Sequence, residues 1–298
     1  MEDYINYIDF SAIQLGKLAE ETGDCRLAEQ CYTKALKRLR NYPGDSMVAV
    51  NMGAELQRKV DGFHGNPVTG RSVLIFEKWL LSKTSFVKGN QCRKYLYLDK
   101  YNKSDRTKPS AETMALFKMG HSLEDRFRDL RFPKGINIKE KAGNFAYFNS
   151  YTRHLLSMMP TAVLYEGTII EDGVMVMVDV LVKNSDQSLD FYEVKLSPKL
   201  TDFIVHDLAL QYYICRKRFG DAVSSFNVVM RDPGAENNFI VMDLKDQLEL
   251  LQQSVQERIA DFREVLNLPS APQIATGAHC TSPYNCEFIA FCSEKTAD

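Results

Sequence analysis

The run Val174-Met175-Val176-Met177-Val178-Asp179-Val180-Leu181-Val182 is an apolar strand broken by a single acid. A carboxylate in such a setting is costly unless a cation or hydrogen-bond donors compensate it. The next segment, Tyr192-Glu193-Val194-Lys195, supplies a second acid and a lysine. Strand side chains alternate with period two, so Glu193 and Lys195 are expected on one face and Val194 toward the core. Two acids and a lysine suit a hard divalent cation, which takes carboxylate and carbonyl oxygens and keeps water in its remaining positions. Such a water is a nucleophile. Lys195 would orient or deprotonate it, while the metal stabilises phosphate oxygens as a Lewis acid. Glu-x-Lys alone arises by chance in most chains of this size. The acid within an apolar strand and the hairpin spacing between the two motifs raise its weight.

The elements that must hold these residues follow from periodicity. Three β segments, Ala162 to Ile170, Val174 to Val182 and Leu189 to Leu196, are separated by the turns Glu171-Asp172-Gly173 and Asn184-Ser185-Asp186, which predicts an antiparallel meander. A long helix from Asp202 to Phe219 crosses back. Strands at Ser225 to Met230 and Asn238 to Met242 and a helix from Leu244 to Leu266 complete the reading. Upstream, one helix carries Phe86, Cys92, Tyr95 and Leu96, a second runs from about Ala111 to Leu130, Ile136 to Lys141 forms a short strand, and a third helix lies near Phe145 to Met158. The fold class is therefore α/β.

Val178-Asp179-Val180-Leu181, Tyr192-Glu193-Val194-Lys195 and the helix with His206-Asp207-Leu208-Ala209-Leu210-Gln211-Tyr212-Tyr213 together resemble the RecB-like branch of the PD-(D/E)XK nuclease superfamily. Leu81-Ser82-Lys83-Thr84-Ser85-Phe86 and Cys92-Arg93-Lys94-Tyr95-Leu96-Tyr97-Leu98 resemble the opening of its CRISPR-associated and related members. The resemblance spans roughly Leu81 to Cys292. It implies a restriction-endonuclease-like core, a central mixed sheet flanked by helices, and Mg²⁺- or Mn²⁺-dependent hydrolysis of DNA, with a single-strand exonuclease in repair, recombination or phage defence as the best fit. A nuclease-dead DNA-binding or adaptor module is the rival.

The resemblance also assigns residues. Asp179, Glu193 and Lys195 would be catalytic, with Gln211 contacting the substrate backbone or the lysine. Metal ligands would be Asp179, Glu193, Val194 and a residue four positions after a helix-leading glycine, where this chain has Glu124 after Gly120 instead of the usual histidine. His121 and Glu166 are further candidates. The usual tyrosine four residues after Gln211 is Cys215, which would pass its place to Tyr212 or Tyr213. Arg216, Lys217 and Arg218 either hold phosphates or complement the helix dipole.

Seven cysteines in a chain expected to be cytoplasmic would stay reduced. Cys280, Cys286 and Cys292 recur at intervals of six near the end, and Cys92 precedes the core. Four thiolates suffice for zinc or a [4Fe-4S] cluster, which sequence geometry alone does not separate. The resemblance favours the cluster, with zinc as the alternative, stapling the tail to the N-terminal side. Cys25, Cys31 and Cys215 read as core.

Across 298 residues, 45% are hydrophobic and 26% charged, as in a folded protein, and the net charge of −2 gives no global basic field. No apolar run approaches a membrane span, and the opening stretch lacks the layout of a secretory signal. Residues 1–70 form a helical region, and residues 71–298 the nuclease-like domain. Ser11 to Tyr42 reads as a helical hairpin whose Gly16, Ala28, Tyr32 and Ala35 resemble a tetratricopeptide repeat. One repeat and the start of another are too few for a solenoid. Both a protein-partner site and an ordinary helical extension of the main domain remain open.

Overall fold

The computed structural model describes residues 3–21, 24–63, 79–142, 145–234 and 238–294. Helices α1 (Phe10–Glu21), α2 (Cys25–Leu39) and α3 (Met47–Phe63) come first. The side chain of Asp24 caps α2 by accepting the Leu27 N–H at 2.9 Å. Tyr32 lies so close to α1 that a Cβ at Gly16 would sit 2.8 Å from its ring, so the small residue sets the approach of the two helices.

Next come β1 (Leu81–Ser82), α4 (Lys83–Gln91), α5 (Arg93–Tyr101), α6 (Ala111–Arg131), β2 (Ile136–Asn137), α7 (Ile138–Ala142) and α8 (Phe148–Met158). The sheet continues with β3 (Ala162–Glu171), β4 (Val174–Lys183) and β5 (Leu189–Lys195), then α9 (Asp202–Phe219), β6 (Val223–Arg231) and β7 (Phe239–Asp243). The chain ends in α10 (Lys245–Glu249), α11 (Gln252–Leu266) and α12 (Ile289–Glu294).

The seven strands form one mixed sheet ordered β2-β3-β4-β5-β6-β7, with β1 alongside β4. The β3-β4-β5 meander is antiparallel, as expected, and β6 runs parallel to β5 after the α9 crossover. In the β3–β4 turn both Asp172 (φ 51) and Gly173 (φ 65) are left-handed, the backbone that tight hairpins need. Helix α9 covers one face. Helix α6 covers the other, placing Phe127 against Val180 and Val229.

Three expectations are corrected. Ile136 to Lys141 is not a strand throughout: after Asn137 it becomes α7, because the Asn137 carboxamide accepts the N–H groups of Lys139 and Glu140 and so caps a helix. The helix carrying Phe86 and Leu96 is two helices, broken at an extended Cys92 (φ −163, ψ 124). The helix expected over Leu244 to Leu266 is likewise divided into α10 and α11.

The proposed boundary near residue 70 lies outside the described residues. On either side of it, however, one cluster of buried apolar side chains runs from Leu15 and Tyr32 through Ile138, Tyr147 and Leu155 to Val176 and Leu208. Across the same junction the fully buried His154 Nδ1 lies 2.8 Å from Asp24 Oδ2. The N-terminal helices thus complete the core, and a chain beginning at Ser72 should lose cooperative unfolding, because large apolar surfaces and His154 would be stranded. Differential scanning calorimetry reads this directly: a sharp transition near that of the full chain would show the helices to be dispensable.

Candidate functional site

Asp179 sits where the ladders on both sides of β4 open. The β3–β4 register passes from Tyr165↔Val180 to Gly167↔Val178, leaving Glu166 and Asp179 unpaired, and the β4–β5 register ends at Val180↔Tyr192. Glu166 holds a left-handed φ of 57°, a strain of about 1–3 kcal/mol of the kind that collects at functional sites. Side-chain phase flips there too. Val176, Val178 and then Leu181 face the main core, whereas Val180 and Val182 face α6. Backbone groups freed from the ladder are satisfied locally: Arg128 donates to the Asp179 carbonyl at 2.9 Å, and the Val194 N–H donates to Asp179 Oδ2 at 2.7 Å.

On the α9 face, Glu193 Oε1 accepts from Lys83 at 2.5 Å and from Lys195 at 2.9 Å. Lys195 also reaches Asp207 Oδ2 on α9 at 2.6 Å. Glu193 Oε2, Asp207 Oδ1 and both polar atoms of Gln211, one helical turn beyond Asp207, are buried without hydrogen-bond partners. Buried polar atoms are rarely left so in native proteins, and each lost partner costs about 1–3 kcal/mol. These orphaned oxygens fit a cation or an ordered water.

On the α6 face, Arg128 is ion-paired with Glu124 and, at 2.9 Å, with Glu166, whose other oxygen takes Lys139 at 2.5 Å. Asp179 lies between the two clusters. Burial, reinforced by Glu193, pushes its carboxyl up to about 7. Burial and the charges of Asp179 and Glu166 push Glu124 up to about 9. Burial acts the same way on Glu193, but Lys195 and Lys83 overcome it and hold that acid at about 2. Lys195 is raised: burial opposes its charge, and Asp207 and Glu193 more than offset the penalty.

A pH dependence follows. In the metal-free protein Asp179 and Glu124 keep protons that the unfolded chain loses above about pH 4. Their contribution is complete below that pH and is lost as pH rises through about 7 and about 9. Glu193, being depressed, loses its own contribution only as pH falls toward about 2, outside this window. Stability in chelator should therefore decline from pH 5 to 9.5, as read by denaturant midpoints, and Mn²⁺ should flatten the decline. A rising profile would refute the assignment.

The expected site residues divide. Glu193 and Lys195 meet on the α9 face, where Gln211 lies one helical turn beyond Asp207; Glu124 and Glu166 meet through Arg128 on the α6 face; and Asp179, bonded to Arg128 and Val194, stands between the two groups. His121 is largely exposed, with Nδ1 3.6 Å from Glu124 Oε2. Tyr213 falls on the other side of α9 from Gln211, and Lys217 lies 5.6 Å from its ring centroid. Arg216, Lys217 and Arg218 are engaged with Asp221, Asp172 and Glu171, which suits local pairing at a helix end. Sequence reasoning missed Asp207, Lys83, Arg128 and Lys139. The signal for Asp207 was present: it and Gln211 are the polar interruptions, four apart, in a helix whose neighbours are apolar.

Cys92, Cys280, Cys286 and Cys292 line one small cavity with Tyr95, Leu98 and Phe288. The Phe288 N–H donates to Cys286 Sγ at 3.4 Å. Burial pushes the Cys286 thiol up to about 11. The tail is also tied by Glu287, which takes Lys88 at 2.8 Å and the Tyr95 hydroxyl at 2.9 Å. Cys31 and Cys215 are buried elsewhere, in the main core, whereas Cys25, expected there too, opens α2 only partly buried and outside that cluster. Among the described residues no three His, Cys, Asp or Glu side chains already converge at single-ion spacing, and no helix is long and apolar enough to cross a membrane.

No family model matches this chain, and no curated protein matches it. Among solved structures it is similar to the one described as "Crystal structure of SSO0001", at 11% identity and a TM-score of 0.37, covering 65% of this chain and 80% of that one. That likeness carries no argument about function.

Proposed function

We propose that this protein is a divalent-metal-dependent deoxyribonuclease of the PD-(D/E)XK type, in its RecB-like branch. The observation that carries the reading is the buried pair Glu193 and Asp207 on either side of Lys195, with Glu193 Oε2 and Asp207 Oδ1 left unpartnered and the half-buried Asp179 on the neighbouring strand. Asp179 and Glu193 would hold Mg²⁺ or Mn²⁺, with Glu124 and Val194 completing the ligands. The ion would supply Lewis acidity and a more acidic bound water. Lys195, kept protonated by Asp207 and Glu193, donates a hydrogen bond to the attacking water or to a phosphate oxygen, a role that fits its charge better than that of a base. Asp207 fixes the direction of that donor. The Val194 N–H locks the Asp179 carboxylate, and Arg128 clamps its backbone.

The cysteine cavity is read as the site of a [4Fe-4S] cluster. Four thiols around one cavity suit either a [4Fe-4S] cluster or zinc, and the resemblance favours the cluster. Its ligands would join α5 to the tail.

The resemblance favours a single-strand-preferring exonuclease in repair, recombination or phage defence. Incubating the purified protein with end-labelled and circular single- and double-stranded DNA, with and without Mn²⁺, tests this: Mn²⁺-dependent loss of linear single strands, with circles spared, is expected. A second reading, a nuclease-dead adaptor, draws on the exposed Met47, Val48 and Val50 at the start of α3, an apolar patch suited to a protein partner. It gains if the folded protein neither binds Mn²⁺ nor cuts any DNA or RNA.

A further inference from the structure

We propose that Tyr284 and Phe203 form a stacking subsite for an unpaired nucleobase at the mouth of the carboxylate–lysine site, an inference that rests on the nuclease reading above. Tyr284 lies in the loop between Cys280 and Cys286, and the residue is 56% exposed although aromatic. Its backbone is nevertheless held. Gln91 Nε2 donates to the carbonyls of His279 and Tyr284, each at 2.7 Å, and the Cys286 N–H closes the loop onto the Cys280 carbonyl at 2.7 Å.

The rings of Tyr284 and Phe203 pack in a T-shape, with centroids 5.0 Å apart and planes at 81°. Phe203 opens α9 four residues before Asp207, so the two share a helix face, and Asp207 anchors Lys195 at 2.6 Å. The Tyr284 phenol lies within the electrostatic reach of both Lys195 and Asp207. An exposed aromatic platform thus stands about one helical turn from the proposed reacting centre.

The chemistry it recognises is specific. Every base offers a π-face, and aromatic stacking is tolerant of sequence. Base faces are hidden in a duplex, so such a platform selects unpaired strands. Because the loop is pinned at both ends, little ordering is lost when the base docks.

The test compares wild type, Tyr284→Ala and Tyr284→Phe on end-labelled single-stranded DNA with Mn²⁺, beside binding of a 2-aminopurine-containing oligonucleotide in chelator. Stacking losses of the usual size predict that Tyr284→Ala raises KM by roughly 5- to 150-fold, with the loss falling on KM rather than kcat, and abolishes 2-aminopurine quenching. Tyr284→Phe should restore both. An unchanged KM with quenching intact in Tyr284→Ala overturns the subsite while leaving the nuclease reading standing. Equal defects in the Ala and Phe variants also overturn it, by pointing to the hydroxyl. Should the wild type quench 2-aminopurine in a Tyr284-dependent way yet cut nothing, the subsite stands and the nuclease reading fails.

Discussion

Replacing Lys195 with alanine should leave Mn²⁺ binding measurable and lower turnover by roughly 10²- to 10⁴-fold, the range for a lost proton-handling or donor group at the reacting centre. Asp179→Ala should fail differently, weakening Mn²⁺ binding and abolishing cleavage. On the proposed reading that substitution would remove a charged ligand, and it also leaves the Val194 N–H without its acceptor. The Lys195 ammonium is shared by two buried carboxylates, Glu193 and Asp207. Its removal leaves Asp207 without its cation, while Glu193 keeps Lys83, and breaking a buried pair from one side costs about 3–5 kcal/mol. The metal-free Lys195→Ala protein should accordingly be less stable than wild type, and bound Mn²⁺ should restore part of the difference. Calorimetric titration beside a cleavage assay, on variants shown to be folded by circular dichroism, reads all of these. Normal cutting by Asp179→Ala would mean that the site has been misplaced.

The second large effect concerns the cysteines. Anaerobically purified protein should be brown and contain iron, and Cys286→Ala should lose both. Ligand binding at such sites is folding free energy, because the site does not exist in the unfolded chain. A loss of even about 4 kcal/mol would lower the thermal midpoint by roughly 6 °C in a protein of this size. The tail would not be released entirely, since Glu287 still holds Lys88 and Tyr95. Stoichiometric zinc without iron in the wild type would replace the cluster with a zinc site.

Much of this architecture is legible in the chain because its signals are local. The Asp202–Phe219 helix and the β3-β4-β5 meander lie where periodicity and turn residues place them. Asp172-Gly173 announces its own turn, and Gly16 opposite Tyr32 announces a close helix pair. The errors are local as well. Cys92 breaks a helix that its apolar spacing would continue, and Asn137 starts one by capping, a choice between two backbone states that differ by little energy.

By itself the sequence determined the α/β class, and it singled out Asp179, Glu193 and Lys195 and the four cysteines that the fold brings to one cavity. It did so because an acid in an apolar strand, a period of two and a spacing of six are properties of neighbouring residues. Only the tertiary structure decided that Lys195 is held between two acids, that Arg128 and Glu166 brace Asp179 from the other face, and that the N-terminal helices belong to the same core. Those contacts join residues far apart in the chain, and their energies come from burial and from charges brought together, which no spacing along the chain encodes.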